Sequence, residues 1–328
     1  MTILVTGGAG YIGSHTSLLL NEKGEDIVIL DNLSKGHAEA TLNQTFYNGD
    51  IRDEELLDRI FTENNIDTVI HFAADSLVGE SVENPFKYYE NNLIATYQLI
   101  KKMVEHNVKN IVFSSTAATY GNPSSVPIEE KQYTLPTNPY GETKLAIEKM
   151  FHWADQAYGL KSVCLRYFNA AGADPSGRIG EDHNPESHLI PLVLQTALGQ
   201  RDKIFIFGDD YNTEDGTCVR DYIHVMDLAE AHYLSVKYLR ETEESNIFNL
   251  GNGNGFSVKD IIETCRKVTG EVIEAENAPR RPGDPAVLIA SSEKAKKHLD
   301  WNPNYNDINT IIEHAWKWHK NNPNGFND

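Results

Sequence analysis

Tyr140 and Lys144 stand four residues apart, directly after Pro139, at the head of a segment of helical period spanning 140–158. That spacing puts the phenol and the ammonium on one face of a helix, one turn apart. A free phenol has a pKa of about 10 and is a poor base at neutral pH. A neighbouring positive charge favours phenolate, so the pair reads as a proton-transfer device. Ser114, Ser115 and Thr116 close an apolar run at 110–114. Hydroxyls at the carboxyl end of a strand lie where ligands bind in open α/β sheets. Thr116 can then hydrogen-bond a substrate oxygen and share its proton with Tyr140.

A second constellation tells what else is present. Gly7-Gly8-Ala9-Gly10-Tyr11-Ile12-Gly13 follows the first apolar run and opens the first helical one. Gly7 permits a tight turn, Gly10 lets backbone approach a pyrophosphate, and Gly13 allows close helix–strand packing. The helix N-terminus offers unpaired N–H groups and partial positive charge to phosphates. Asp31 closes the second apolar run at the distance expected of a carboxylate that binds a ribose 2′-hydroxyl. An anion there repels a 2′-phosphate, so NAD is favoured over NADP. An oxidised nicotinamide adds positive charge beside Tyr140. A drop of about three units in the phenol pKa would represent roughly 4 kcal/mol. Taken singly, a glycine turn suits packing and a Tyr/Lys pair suits a solvated helix face. Together with the strand-end hydroxyls they argue for catalysis.

The elements that must hold these residues follow from periodicity. Short Ile-, Val- and Leu-rich runs at 3–6, 26–30, 68–72, 110–114 and 162–167 suit strands covered on both faces. Helical stretches at 12–22, 54–63, 85–107 and 140–158 lie between them. The alternation predicts a doubly wound α/β fold with a parallel sheet and right-handed crossovers. Residues 169–191, rich in Gly, Pro, Asp and His, read as a long loop. A helix at 189–198, a strand at 203–207, a helix at 225–239, a turn cluster at 249–255 and a charged loop at 279–285 follow. The expected organisation is a Rossmann domain over 1–170, also receiving segments near 222–250, and a smaller mixed α/β substrate-binding region over 171–328.

Composition narrows the class. The 328 residues carry a net charge of −19, with 40% hydrophobic and 23% charged residues, as in a soluble globular protein. The acidic balance argues against a nucleic-acid partner, and no run is long and apolar enough for a membrane span. Cys164, Cys218 and Cys265 are too few and too scattered for a disulfide framework or a CxxC metal pair. Met1–Gly7 lacks the features of a signal peptide, so a cytoplasmic location is expected. His183, Glu186 and His188 share a Pro-bearing loop in a spacing that fits no standard zinc pattern, so no metal is expected.

The chain closely resembles the extended short-chain dehydrogenase/reductases, and within them the UDP-glucose (UDP-galactose) 4-epimerase family. The carriers run nearly end to end: TGGAGYIGSHT from Thr6, Asp31-Asn32-Leu33, Gly49-Asp50-Ile51, His71-Phe72-Ala73-Ala74, Val78-Gly79-Glu80-Ser81, YYENN from Tyr88, Phe113–Thr116, Tyr140–Lys144, RYFN from Arg166, DGTCVRDYIHVM from Asp215, and Asn249-Leu250-Gly251. The resemblance implies NAD-dependent interconversion of UDP-galactose and UDP-glucose through a 4-keto sugar, with Tyr140 as base. It assigns the cofactor to Gly7, Gly10, Tyr11, Ile12, Gly13, Asp31, Asn32, Asp50, Ile51, Phe72, Ala73, Ala74, Asn91, Ser114, Tyr140, Lys144 and Phe168. Asp50 and Ile51 would meet adenine, Lys144 the nicotinamide ribose, and Phe168 would pack beside the nicotinamide. A homodimer built on the helices around 91–106 and 140–158 is also implied.

On the substrate side the resemblance places Arg220 and Arg281 on the diphosphate, Asp284 on the uridine ribose, and Asn169, His188 and Leu189 against the substrate. Phe205 and Phe207 alternate on a strand; such a pair suits plain core, whereas the family pattern puts Phe207 near the uracil. Three positions depart from better-known members. Ser76 replaces a lysine near the cofactor phosphates, His188 replaces an Asn, and Leu288 stands where Tyr or Cys flanks the sugar 2-substituent. A leucine there is expected to admit N-acetylated sugars. A 4,6-dehydratase would carry an Asp-Glu pair after Thr116, where this chain has Ala117 and Ala118. A hexuronate epimerase is the other enzymatic alternative. A non-catalytic NAD-binding module would tend to lose the Tyr/Lys pair.

Overall fold

The apolar runs form a sheet because both of their faces find a helical layer. In the computed structural model, which describes residues 1–281 and 284–326, the chain begins β1 (Thr2–Thr6), α1 (Tyr11–Glu22), β2 (Asp26–Asp31), β3 (Thr45–Asn48), α2 (Glu54–Glu63) and β4 (Ile66–His71). It continues through α3 (Val78–Glu83), α4 (Pro85–Tyr88), a π-type stretch (Tyr89–Ile94) and α5 (Ala95–Glu105). Then come β5 (Asn110–Ser114), α6 (Pro139–Tyr158), β6 (Lys161–Tyr167) and β7 (Asn169–Ala171). The remainder is α7 (Leu189–Ala197), β8 (Ile204–Phe207), β9 (Val219–His224), α8 (Val225–Thr242), β10 (Asn246–Leu250), β11 (Gly255–Ser257), α9 (Val258–Thr269), β12 (Ala275–Ala278), β13 (Val287–Leu288), α10 (Glu293–Leu299) and α11 (Ile308–Asn321).

Seven parallel strands run in the order β10-β6-β5-β4-β1-β2-β3. The order reverses between β1 and β4, and the crevice at such a switch point is where doubly wound sheets bind ligands. One apolar cluster, including Leu4, Leu57, Leu99, Phe113 and Phe151, packs α2, α5 and α6 on one face. Another, including Ile3, Val112, Leu228, Phe248 and Trp301, packs α8 on the other. A third unites α7, α9 and α11 with β8 and β9. At about 25 cal/mol per Å² of apolar surface removed from water, burial of these side chains is the main favourable term.

Several expectations need correction. The single helix at 85–107 is interrupted by the π-type stretch, and α3 precedes it. The interruption sits where Asn92 turns its amide back to residue 75: Asn92 Oδ1 accepts from Asp75 N at 2.8 Å, and Asn92 Nδ2 donates to Asp75 O at 3.0 Å. Such bulges recur at functional sites. The supposed loop at 169–191 opens with β7, whose Asn-Ala-Ala has little strand propensity and is held by parallel pairing with β9. Strand β3 was not expected, and the late segment expected to join the first domain near 222–250 supplies β10, a strand that enters the main sheet beside β6. Of the charged loop at 279–285, Pro282 and Gly283 lie outside the described residues. Among the described residues no helix is long and apolar enough to cross a membrane.

Candidate active site

Placement of the Tyr/Lys pair starts at the head of α6. Asn138 caps the helix, its side-chain oxygen accepting from Gly141 N at 2.9 Å, and Pro139 occupies the first turn. Tyr140 is therefore fixed at the N-terminal end. A Cβ at Gly141 would stand 2.6 Å from Ala118 O, so glycine lets this end approach the turn that follows β5. Thr116 lies in that turn, its hydroxyl accepting from Ala118 N at 3.1 Å, and its side chain acts on the Tyr140 phenol to favour phenolate. One turn along α6, buried Lys144 donates from Nζ to Ser114 O at 2.9 Å and sits 4.7 Å from the centre of the Phe113 ring. Ser114 Oγ meets the Tyr167 hydroxyl at 2.5 Å. Tyr88 stacks edge-on against Tyr140 at 6.5 Å.

The protein alone does not favour phenolate at Tyr140. Burial raises the Tyr140 phenol above its ordinary value, and the Thr116 side chain only partly opposes this. Lys144 is itself pushed down to about 7 by burial, against the opposing charge of Glu148 and Cys164. Near neutrality it therefore holds its proton only part of the time in the chain alone. The phenolate needs the further positive charge of a bound cofactor.

Behind β5 lies a buried network that sequence reasoning missed. Ser115 Oγ donates to Glu148 Oε1 at 2.5 Å, and Arg166 grips the same carboxylate through Nε at 2.9 Å and NH2 at 2.5 Å. The Arg166 guanidinium lies 4.8 Å over the Tyr120 ring, whose hydroxyl donates to Asn249 Oδ1 at 2.7 Å. The available signal was the spacing of Glu148, four residues after Lys144 and hence on its face.

The dinucleotide cradle meets the demands of NAD. Gly7 has φ +72°, and a Cβ there would come within 2.6 Å of Ala73 N; at Gly13 it would lie 2.1 Å from Gly7 O. Gly10 caps α1 without a side-chain partner, which leaves the first-turn N–H groups of Tyr11, Ile12 and Gly13 facing the turn's mouth. Tyr11 contributes backbone only, since its hydroxyl donates to Gly172 O at 2.7 Å. Asp31 accepts from Ala9 N at 3.0 Å and Leu33 N at 2.8 Å, with burial raising its pKa against these amides. Phe72 leans on His232 with ring centres 4.6 Å apart, and Ala73 N donates to Thr6 O at 3.2 Å, lining the switch point with Ala74. Farther out, Asn32 Nδ2 donates to Asp50 Oδ2 at 3.0 Å. The Arg52 guanidinium holds the Asp50 carboxyl down to about 2 and donates to Asn91 Oδ1 at 3.0 Å. Asn91 donates to Asp75 at 2.7 Å, and Ile51 is buried beneath. Lys87 Nζ is paired with Glu80 at 2.7 Å and lies 3.5 Å from Asp75, next to Ser76. Arg52, Asp75 and Lys87 carried no signal in the sequence beyond their charge.

The substrate-side residues form a second wall. The pairing of β9 with β13 sets Arg220 opposite Leu288. Arg220 NH2 donates to Asp284 Oδ1 at 2.9 Å. Asn169 stands opposite Tyr222 in the pairing of β7 with β9. Leu288 and Phe168 pack on the same small cluster of Ala117, Tyr120 and Ile128. Phe205 and Phe207 are not core: they are 38% and 37% exposed, while Ile204 and Ile206 face inward. The Arg281 guanidinium stacks 4.1 Å over Phe207. His188 caps α7 just before Leu189, but its Nδ1 is committed to Glu181 at 2.5 Å.

Residues 4–314 match the family model described as GDP-mannose 4,6 dehydratase. A UDP-glucose 4-epimerase of Halalkalibacterium halodurans is 70% identical over 326 residues, covering 99% of this chain and 98% of that protein. The chain belongs to the UDP-glucose 4-epimerase family. A crystal structure of UDP-glucose 4-epimerase superposes with a TM-score of 0.98 at 58% identity, covering both chains fully. The enzyme from Bifidobacterium longum, crystallised in complex with NAD+ and UDP, gives 0.95 at 43% identity over 99% of this chain and 100% of that one. Ala117 and Ala118 occupy the turn after Thr116. The relatives of high identity over the whole chain are epimerases, and this member of the superfamily is an epimerase.

Proposed function

We propose that Tyr140 is the acid–base residue of a UDP-sugar 4-epimerase that interconverts UDP-galactose and UDP-glucose. The observation that carries this reading is one geometry: Lys144, one turn along α6 from the half-buried Tyr140, donates to Ser114 O at 2.9 Å at the carboxyl end of β5, two residues before Thr116. Tyr140 takes the proton of the sugar 4-hydroxyl, and Thr116 shares the bond to that oxygen. Bound NAD supplies the hydride acceptor and donor at C4. The reaction carries no net redox change, because the 4-keto sugar is reduced on its opposite face and Tyr140 returns the proton. Lys144 holds the nicotinamide ribose and Asp31 the adenosine ribose. Arg220 and Arg281 grip the diphosphate, whose planar guanidinium contacts suit phosphate oxygens, and Asp284 meets the uridine ribose. Positioning supplies much of the rate, since hydride transfer needs near-attack geometry.

The test is conversion of UDP-galactose to UDP-glucose by purified protein. Tyr140→Phe is expected to lower turnover by at least about 100-fold, the low end for a general base, with NAD content unchanged. Near-normal turnover would remove Tyr140 from the role.

The same reading makes the enzyme a cytoplasmic homodimer of galactose metabolism. Apolar side chains on the outer faces of α4 to α6 support the dimer: Phe86, Ile94, Tyr97 and Trp153 are at least half exposed. Patches of that kind mark protein contacts. Sedimentation of wild type against Ile94→Asp/Tyr97→Asp tests it, with a wild-type monomer as the contrary result.

A further inference from the structure

Between β7 and α7 the chain passes through Glu181-Asp182-His183-Asn184-Pro185-Glu186-Ser187-His188. One ligand atom from each of Glu181, His183, Glu186 and His188 can be chosen so that all four lie within 4.8 Å of one another. His183 Nδ1 is 3.3 Å from Glu181 Oε1 and 3.6 Å from Glu186 Oε2. His188 Nδ1 is 2.5 Å from Glu181 Oε1 and 3.9 Å from Glu186 Oε1. Four ligands at ~2.0–2.1 Å around a tetrahedral ion stand ~3.3 Å apart. The two separations from His183 Nδ1 are already near that value, and the His188–Glu181 contact must open to admit an ion.

Two observations point to a cation at the centre. Glu181 and Glu186 have side chains only 3% and 6% exposed. Among the described residues neither has a lysine or arginine at ion-pair distance; imidazoles are their only ion-pair partners. Buried carboxylates demand pairing or a metal. His183 Nδ1, in addition, is sealed from solvent and has no hydrogen-bond partner among the described residues, although it lies between the two carboxylates. Glu186 is held ready, its Oε1 accepting from Ser187 N at 2.7 Å and His188 N at 2.8 Å.

We infer that these four side chains bind one divalent transition-metal ion, zinc being the species their chemistry favours. Imidazole ligands select zinc and its neighbours over magnesium or calcium, and two carboxylates neutralise the dication. With all four positions supplied by protein, the site is of the structural kind. The His183 ring packs edge-on against Tyr11 at 6.1 Å, and Tyr11 is itself anchored on Gly172 O. The ion therefore ties the β7–α7 segment to the glycine turn. Coordination of His188 through Nδ1 leaves its Nε2 for the substrate side. Glu181 was not among the candidates read from the sequence, and the spacing E-x-H-x-x-E-x-H matches no standard zinc pattern; the convergence is tertiary.

Untagged protein stripped with a chelator and titrated with Zn²⁺ should take up one ion per chain by calorimetry and elemental analysis, with a rise in thermal midpoint. Glu186→Gln and His183→Asn should each weaken binding by more than the ~10–100-fold that outer-shell substitutions cost, and abolish the thermal shift. Wild-type protein that binds no zinc, or zinc retained undiminished by both variants, overturns the proposal. The wild-type titration decides by itself should either variant fail to fold.

Discussion

Lys144 Nζ donates its 2.9 Å hydrogen bond to the carbonyl oxygen of Ser114, so the ammonium is anchored to the end of the very strand whose next turn carries Thr116. Helix α6 and strand β5 are thereby locked in register at the point where phenol, hydroxyl and ammonium meet. Lys144 acts here as a girder as well as a charge. Burial around it governs how the site responds to pH.

The first prediction concerns Thr116. Its side chain lowers the pKa of Tyr140 against the upward push of burial. Thr116→Val removes the hydroxyl without changing volume. Turnover should fall roughly 10–100-fold, the worth of about 1.5–3 kcal/mol for a hydrogen bond to a charged group. The acidic limb of kcat/KM against pH should also move to higher pH. A slower enzyme with an unmoved profile would leave Thr116 a packing role only.

Stability should carry the mark of Lys144. Its pKa of about 7 in the folded chain lies below its ordinary 10.5, chiefly through burial. Between those values the unfolded chain holds the proton and the folded chain releases it, so unfolding free energy rises with pH across this window. Urea titrations of cofactor-free protein at several pH values from 7 to 10 should show a slope of up to about 1.4 kcal/mol per pH unit that Lys144→Met lacks. Identical slopes would mean that Lys144 stays charged when buried.

Arg220 is paired with Asp284 and set opposite Leu288 by strand register. Arg220→Ala should weaken UDP by roughly 10–100-fold, as loss of a charge-assisted contact does. Uridine, which has no phosphates, should bind almost as before. Calorimetry with both ligands separates the outcomes; equal losses would place Arg220 on the nucleoside instead.

Leu288 and Phe168 share the Tyr120 cluster, so the side chain at 288 borders the space beside Phe168. Tyrosine is bulkier than leucine. Leu288→Tyr should therefore cut turnover of UDP-N-acetylgalactosamine relative to UDP-galactose by about 10-fold or more, the scale on which pocket volume discriminates. An unchanged ratio would show that the 2-substituent lies elsewhere.

Much of this site was legible in the sequence because its parts are local. The glycine turn, Asp31 at a strand end and the one-turn spacing of Tyr140 and Lys144 depend on backbone geometry within a few residues. Helical and strand periodicity decide those positions wherever the element ends up. The parallel sheet followed in the same way from alternating runs buried on both faces.

Long-range contacts were decided only by the tertiary structure. Alternation showed that Phe205 and Phe207 share a face, but pairing of β8 with β12 turned that face outward beneath Arg281. Strands β7 and β10 have weak or short signals and exist through partners tens of residues away. The anchoring of Asn91 by Arg52 and Asp75, and of Ser115 by Glu148 and Arg166, likewise required elements to pack first. Periodicity is a property of neighbours along the chain. Which side chains meet across a crevice, and what burial then does to their protons, depends on how separate layers close on one another.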